Sequence, residues 1–182
     1  TFTSIAGTLT SAFLHEELSP VICETIASRA FQFSPEIKQI DEKLFLLELN
    51  KGPTGSQKDF GVSFLINTLE TYFQWKGGNA VFCDVTTGNL EAMISKLLKG
   101  KKYLKAVLIY PKGTVKSLSE EDFIWNGGNI LPIEFDGTEE DCHKIVREIF
   151  SNKDFVKQNR LTVANTANIG RLLPQAYFYP YA

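Results

Sequence analysis

The sequence is short of positive charge. Of its 182 residues, 19 are Lys or Arg and 21 are Asp or Glu, a formal net charge of −2. A nucleic-acid footprint needs a basic stripe, and none is present. The densest basic run, Lys99 to Lys105, reads as a solvated turn between a helix and a strand. Long apolar runs are missing too. None reaches the roughly 18 residues that a membrane span requires. The N-terminus shows no basic segment followed by an apolar one, so no secretory signal is expected, and Thr1 as first residue need not be the native start. Cysteine is scarce. Cys23, Cys83 and Cys142 are odd in number and far apart, as suits buried thiols in a reducing cytoplasm rather than a disulfide framework or a zinc site. The only two histidines, His15 and His143, share no metal-ligand spacing, so no metal is expected. No Gly-rich fingerprint follows a strand, which argues against a dinucleotide-binding domain.

What the sequence does have is alternation. Hydrophobic residues make up 43% and charged residues 22%, a globular balance. A helical lead-in opens the chain: Thr3 to about His15, then Val21 to about Phe31 behind a Ser19-Pro20 start. Ser34-Pro35-Glu36 reads as a turn or another helix start. Strands are expected at 44–49, 80–85, 104–110 and 129–135. Helices are expected at 62–73, 88–98, 117–126 (Ser117 and Glu120 as a capping box) and from Thr138 to about Phe150 (Thr138 and Asp141 as another). The fold class that follows is α/β, an open parallel sheet of βαβ units preceded by helices. Ligands of such sheets bind beyond the strand C-termini, which places the loops 84–89, 110–115 and 136–138 at a site. Three segments are expected: 1–76 with the lead-in, first strand and following helix; 77–151 as the wound α/β lobe; and 152–182 as a returning stretch, then a helix over 168–181 bent by Pro174. Its aromatics, Tyr177 to Tyr181, have no interleaved basic residues and read as packing surface.

The chemistry concentrates in Gly52-Pro-Thr-Gly-Ser-Gln-Lys58-Asp-Phe-Gly61. A Gly/Pro/Thr/Ser turn between a strand and an apolar helix sets Lys58 in the helix's first turn. A helix N-terminus carries partial positive charge, disfavours an ammonium and should lower its pKa. A lysine so tuned is a nucleophile for carbonyl carbon. On spacing alone a solvated surface lysine is the simpler alternative.

Gly52-Pro-Thr followed, after three residues, by Lys58-Asp-Phe-Gly61 resembles the cofactor-lysine segment of threonine synthases, which are pyridoxal-phosphate enzymes. Leu161 to Gln175 is similar to that family's Asn-Ser-Ile-Asn…Arg segment. Leu108 to Gly113, Gly127 to Ile130 and Asp136 to Thr138 follow in the family's order. The resemblance runs from about Leu44 to the C-terminus and implies a tryptophan-synthase-β-like fold, incomplete here. It implies that Lys58 is the catalytic residue and holds pyridoxal 5'-phosphate as a Schiff base, with Thr86, Thr87 and Gly88 also at the cofactor. It implies a small phosphorylated amino-acid substrate, O-phosphohomoserine, converted with water to threonine and phosphate. Thr54, Lys112, Asn165, Thr166, Asn168 and Arg171 would contact that substrate, an Arg fork suiting phosphate or carboxylate.

The chain also departs from the family. Its Ser-Gly-Asp-Thr-Gly loop is here Asp84-Val-Thr-Thr-Gly88, Lys51 replaces a histidine, and Gln57 replaces a phenylalanine. A carboxylate at 84 would repel an anionic substrate. That leaves a shifted specificity, or a degenerate relative that serves as a binding module, as the alternative reading. The family's Gly-rich phosphate cradle and the partner of the pyridine nitrogen have no counterpart in these residues. The sequence therefore reads as the N-terminal part of the enzyme, with the missing half or a second subunit as partner.

Overall fold

The computed structural model describes residues 1–86, 89–114 and 128–182. The chain forms two compact units, one of Thr1–Thr71 with Asn168–Ala182 and one of Tyr72–Ala167. The helix expected at 117–126, with its capping box, lies outside the described residues.

The first unit begins with α1 (Phe2–Leu14) and α2 (Pro20–Ala30). Thr1 caps α1 by accepting from the Ser4 amide at 3.2 Å. The start of α2 comes from Pro20 at the first position; the Ser19 side chain makes no capping bond. Next is a hairpin, β1 (Glu36–Asp41) with β2 (Leu44–Glu48), paired antiparallel with Gln39 opposite Phe45. The sequence reads Ser34-Pro35-Glu36 as a turn or helix start. The long-range pairing with β2 decides otherwise. Lys38 bridges to Glu48 across the strands at 2.9 Å. Both faces of the hairpin leave apolar side chains in solvent: Ile40, Leu44 and Phe45 are each 58% exposed.

Helix α3 (Lys58–Lys76) starts four residues earlier than apolar periodicity indicates. Residues 59–67 are all buried. A helix buried all round has no polar face, so its polar side chains need partners inside. Ser63 donates to the Ala30 carbonyl at 2.7 Å, and Asn67 donates to that of Ser63 at 2.9 Å.

The C-terminal segment returns to this unit in three short pieces, α7 (Ile169–Leu172), a 3-10 turn (Leu173–Tyr177) and α8 (Phe178–Tyr181). Pro174 ends the α-helical hydrogen bonding where the sequence indicates a bend. The core is aromatic: Phe2, Phe31, Phe60, Phe64, Tyr177 and Phe178 are all buried. Their rings meet mostly edge to face, Phe2 with Phe31 at 5.1 Å and Phe60 with Phe178 at 5.2 Å. Tyr177 is therefore packing, as expected, whereas Tyr179 is exposed.

The second unit is a four-stranded, all-parallel sheet in the order β5-β4-β3-β6: β3 (Ala80–Val85), β4 (Leu104–Pro111), β5 (Ile130–Phe135) and β6 (Leu161–Thr162). Helix α4 (Asn89–Leu98) joins β3 to β4. Helix α5 (Glu139–Ser151) carries the expected capping box. Asp141 accepts from the Thr138 amide and hydroxyl, which holds its carboxyl down at about 2. Helix α6 (Lys153–Asn159) ends on Arg160 in the left-handed region, φ 53°. Residues 152–167, read from the sequence as a returning stretch, belong to this unit because β6 pairs with β3 beside Val81 and Phe82. A two-residue strand has no periodicity to detect.

Within the first unit, the Tyr177 hydroxyl meets that of Thr10 at 2.9 Å, fully buried. Burial pushes the phenol up to about 12, and the Thr10 hydrogen bond only partly offsets this. The folded value is raised, so this contribution to stability is intact below the unfolded value of about 10 and is lost as pH rises toward about 12. Titration of tyrosinate absorbance should show Tyr177 ionising late, together with unfolding. Tyr177→Phe should remove that late step and cost about 1–2 kcal/mol in denaturant unfolding, since it leaves the Thr10 hydroxyl unpaired. Ionisation of all six tyrosines below about pH 11 would contradict this.

Candidate functional site

The Lys58 segment divides its labour residue by residue. Asp59 is fully buried. Its carboxylate accepts from the Thr54 amide at 2.9 Å, the Thr54 hydroxyl at 2.7 Å and the Ser56 amide at 3.3 Å. It thereby takes up the donors of the loop that leads into α3, while the Lys58 amide is capped by Ser56 Oγ at 3.2 Å. Gly52 is required: a Cβ there would lie 2.7 Å from Asp59 Cγ. Gly55 turns the loop at φ +70°. Phe60 enters the aromatic core. Lys58 alone is left over: its side chain is exposed and forms no ion pair among the described residues.

Gly61 completes the arrangement. A Cβ on it would run into the backbone carbonyl of Arg171 and come within 3.0 Å of Arg171 Cγ. The absence of that carbon seats the Arg171 turn on α3. Asn168 caps the same turn by accepting from the Gly170 amide at 3.1 Å, and a Cβ on Gly170 would sit 3.1 Å from Leu65. So the first unit packs the lysine motif against the Asn168–Arg171 end of the second motif. Lys51, beside Gly52, is tied back to the hairpin by Glu36 at 2.6 Å and Glu48 at 3.0 Å, which raises its pKa.

The second unit carries the rest at a reversal of strand order. From β3 the chain winds outward through β4 to β5; β6 then lies on the other side of β3. Such a switch point opens a crevice beyond the strand C-termini. There Asp84, 1% exposed, accepts from the Ala164 amide at 2.7 Å and from Asn165 Nδ2 at 3.0 Å. Asn165 Oδ1 in turn accepts from the Ala167 amide at 2.9 Å. Thr166, at the tip of this turn, is exposed. The sequence reads Asp84 as an anion set against a ligand; instead its two oxygens take neutral N–H donors inside the fold. Thr86 is buried and extends the β3 ladder through its amide to the Ile109 carbonyl at 3.0 Å. Lys112 is exposed in the turn after β4, its amide bonded to the Phe135 carbonyl at 2.9 Å. Thr87 and Gly88 lie outside the described residues.

Among the substrate candidates, Thr54 has its hydroxyl proton committed to Asp59, and Asn165 and Asn168 serve a turn and a cap. Sequence reasoning missed the roles of Asp59 and Asp84. Ser56 and Asp59 stand at capping-box spacing, a signal that could have found the first. Nothing local marks the second, whose partners are 80 residues away.

No family model matches the chain. Threonine synthase of Buchnera aphidicola subsp. Schizaphis graminum is 32% identical over 170 residues, 93% of this chain and 39% of that protein. The enzyme of Escherichia coli is 30% identical over 98% of this chain and 41% of its own length. The Escherichia coli crystal structure superposes with a TM-score of 0.80 over all of this chain and 42% of that one. The chain is threonine-synthase-like. A PLP-bound threonine synthase from Brucella melitensis, 22% identical, shares the fold at a TM-score of 0.85 over 98% of this chain and 40% of its own. The threonine-synthase-like chain thus spans about two fifths of the length of the relatives it matches.

Two neighbouring substitutions should separate. Lys58→Ala removes an exposed side chain and should change unfolding free energy by no more than about 0.5 kcal/mol. Asp59→Ala strands three half-buried donors and should cost about 2 kcal/mol. Equal costs in denaturant melts would mean that Lys58, too, is a structural residue.

Proposed function

We propose that this chain is the lysine-bearing part of a threonine synthase, a lyase that converts O-phosphohomoserine and water to threonine and phosphate with pyridoxal 5'-phosphate. One observation carries this reading: every other residue of Lys58-Asp-Phe-Gly61 is spent on holding the loop, the core and the Arg171 turn, and only the amine is left free. That fits the aldehyde end of the cofactor, which needs an unengaged amine on a rigid support. When bound, pyridoxal phosphate supplies the electrophilic carbon for amines and a ring that takes up carbanion charge.

The chain's own residues do the rest. Lys58 Nζ would hold the cofactor's aldehyde carbon and would move protons at the substrate carbons. Thr86 would help hold the cofactor, together with Thr87 and Gly88, which the resemblance implies and which lie outside the described residues. Arg171 offers a guanidinium fork and Lys112 an ammonium to the substrate's phosphate or carboxylate, with Asn168 setting the Arg171 turn. Thr54, Asn165 and Thr166 shape the remaining contacts, Thr54 and Asn165 through the loop and turn that they hold. The cofactor's phosphate and ring nitrogen are met by polypeptide beyond these residues or by a second subunit. The setting is the cytoplasm, in keeping with three buried thiols. No described helix is long and apolar enough to cross a membrane.

The test is covalent. Pyridoxal phosphate is added to the chain, reduced with borohydride, and the labelled peptide is mapped. Label confined to Lys58, and lost in Lys58→Ala, is the expected result. Label spread over surface lysines, in this chain and in its longest natural form alike, would favour the degenerate binding module.

A further inference from the structure

The functional reading above does not use Asp84. A buried carboxylate with both oxygens engaged is costly to place and strongly directional once placed. Asp84 stands on β3 directly at the switch point, and two of its donors come from the stretch leaving β6. Oδ2 takes the Ala164 amide and Oδ1 the side-chain amide of Asn165. The carbonyl end of Asn165 is used as well, closing the turn onto the Ala167 amide. Both ends of the Asn165 side chain are therefore occupied within the fold. The turn shows Thr166 and Ala167 to solvent, and of these two Thr166 carries the polar side chain.

We propose that Asp84 is a positioning residue for substrate recognition: it builds the Ala164–Ala167 turn at the switch point, draws Asn165 inward, and leaves Thr166 as the contact that this turn makes with substrate. The proposal rests on the threonine synthase reading for the identity of the ligand. It reverses the simple electrostatic expectation for a carboxylate at this position. If Asp84 faced an anionic substrate, its neutralisation would tighten binding. If it acts through the turn, Asp84→Asn weakens binding, because an amide has a single acceptor oxygen and presents an NH2 to one of the two donors.

The experiment measures O-phosphohomoserine affinity of the 182-residue chain by titration calorimetry, alongside borohydride labelling of Lys58 with pyridoxal phosphate. Asp84→Asn and Asn165→Ala should each weaken binding about tenfold, and the double variant no more than either alone, since they break one unit. Thr166→Val should weaken it by a similar factor. Lys58 labelling should be unchanged in all four. Tighter or unchanged binding in Asp84→Asn, an additive double variant, or no measurable O-phosphohomoserine binding by the parent chain would overturn the proposal. Loss of Lys58 labelling in the parent chain would instead overturn the functional reading. Should Asp84→Asn not fold, NMR of the parent chain decides. O-phosphohomoserine should move the Thr166 amide resonance and leave the Asn165 side-chain amide in place; the opposite pattern would overturn the proposal.

Discussion

The burial of the Asp59 carboxylate is the constraint on which the lysine segment depends. A carboxylate removed from water must be hydrogen-bonded, and the loop 52–56 supplies its donors. The loop is therefore drawn over the start of α3, and Gly52 must be glycine because the carboxylate fills the space its side chain would take. Phe60, the next residue, is held by the aromatic core, and Gly61 admits the Arg171 turn. Lys58 thus sits on a backbone fixed from both sides while its own side chain is unconstrained. A nucleophile needs that combination: a precise origin and a free reacting end.

A second carboxylate plays the matching part in the parallel sheet. Asp84 ties β3 to the stretch after β6 and so defines the turn at the switch point. Parallel strands leave their C-terminal ends without side-to-side cover, and loops there are positioned only by what reaches across. Placing this bond between two strands of opposite winding direction makes the crevice wall a property of the sheet rather than of a free loop.

Much of this was legible in the sequence. The helix stops at Gly77 and Gly100, the Thr138 capping box, the bend at Pro174 and the parallel pairing of the sheet all follow from local chemistry and from alternation. The Lys58 loop was legible because a turn, a lysine and an apolar helix are adjacent in the chain. What escaped is non-local. The hairpin strand β1 follows a Ser34-Pro35-Glu36 stretch that reads equally as a turn or a helix start, and β6 is too short to have a pattern. Asp84 reads as a charge aimed at ligand until its partners 80 residues away are seen. In each case a tertiary pairing outweighed a weak local preference.

The hairpin of β1 and β2 bears on how the chain behaves in solution. Apolar side chains stand on both of its faces, and a strand edge offers unpaired backbone groups. Such an edge is a template for stacking with its own kind, the first step toward fibrils. The charges around it, Glu36, Lys38, Glu48 and Lys51, are paired with one another. They act as gatekeepers: any incoming strand must displace or bury them. Neutralising these four residues would remove that barrier to strand addition.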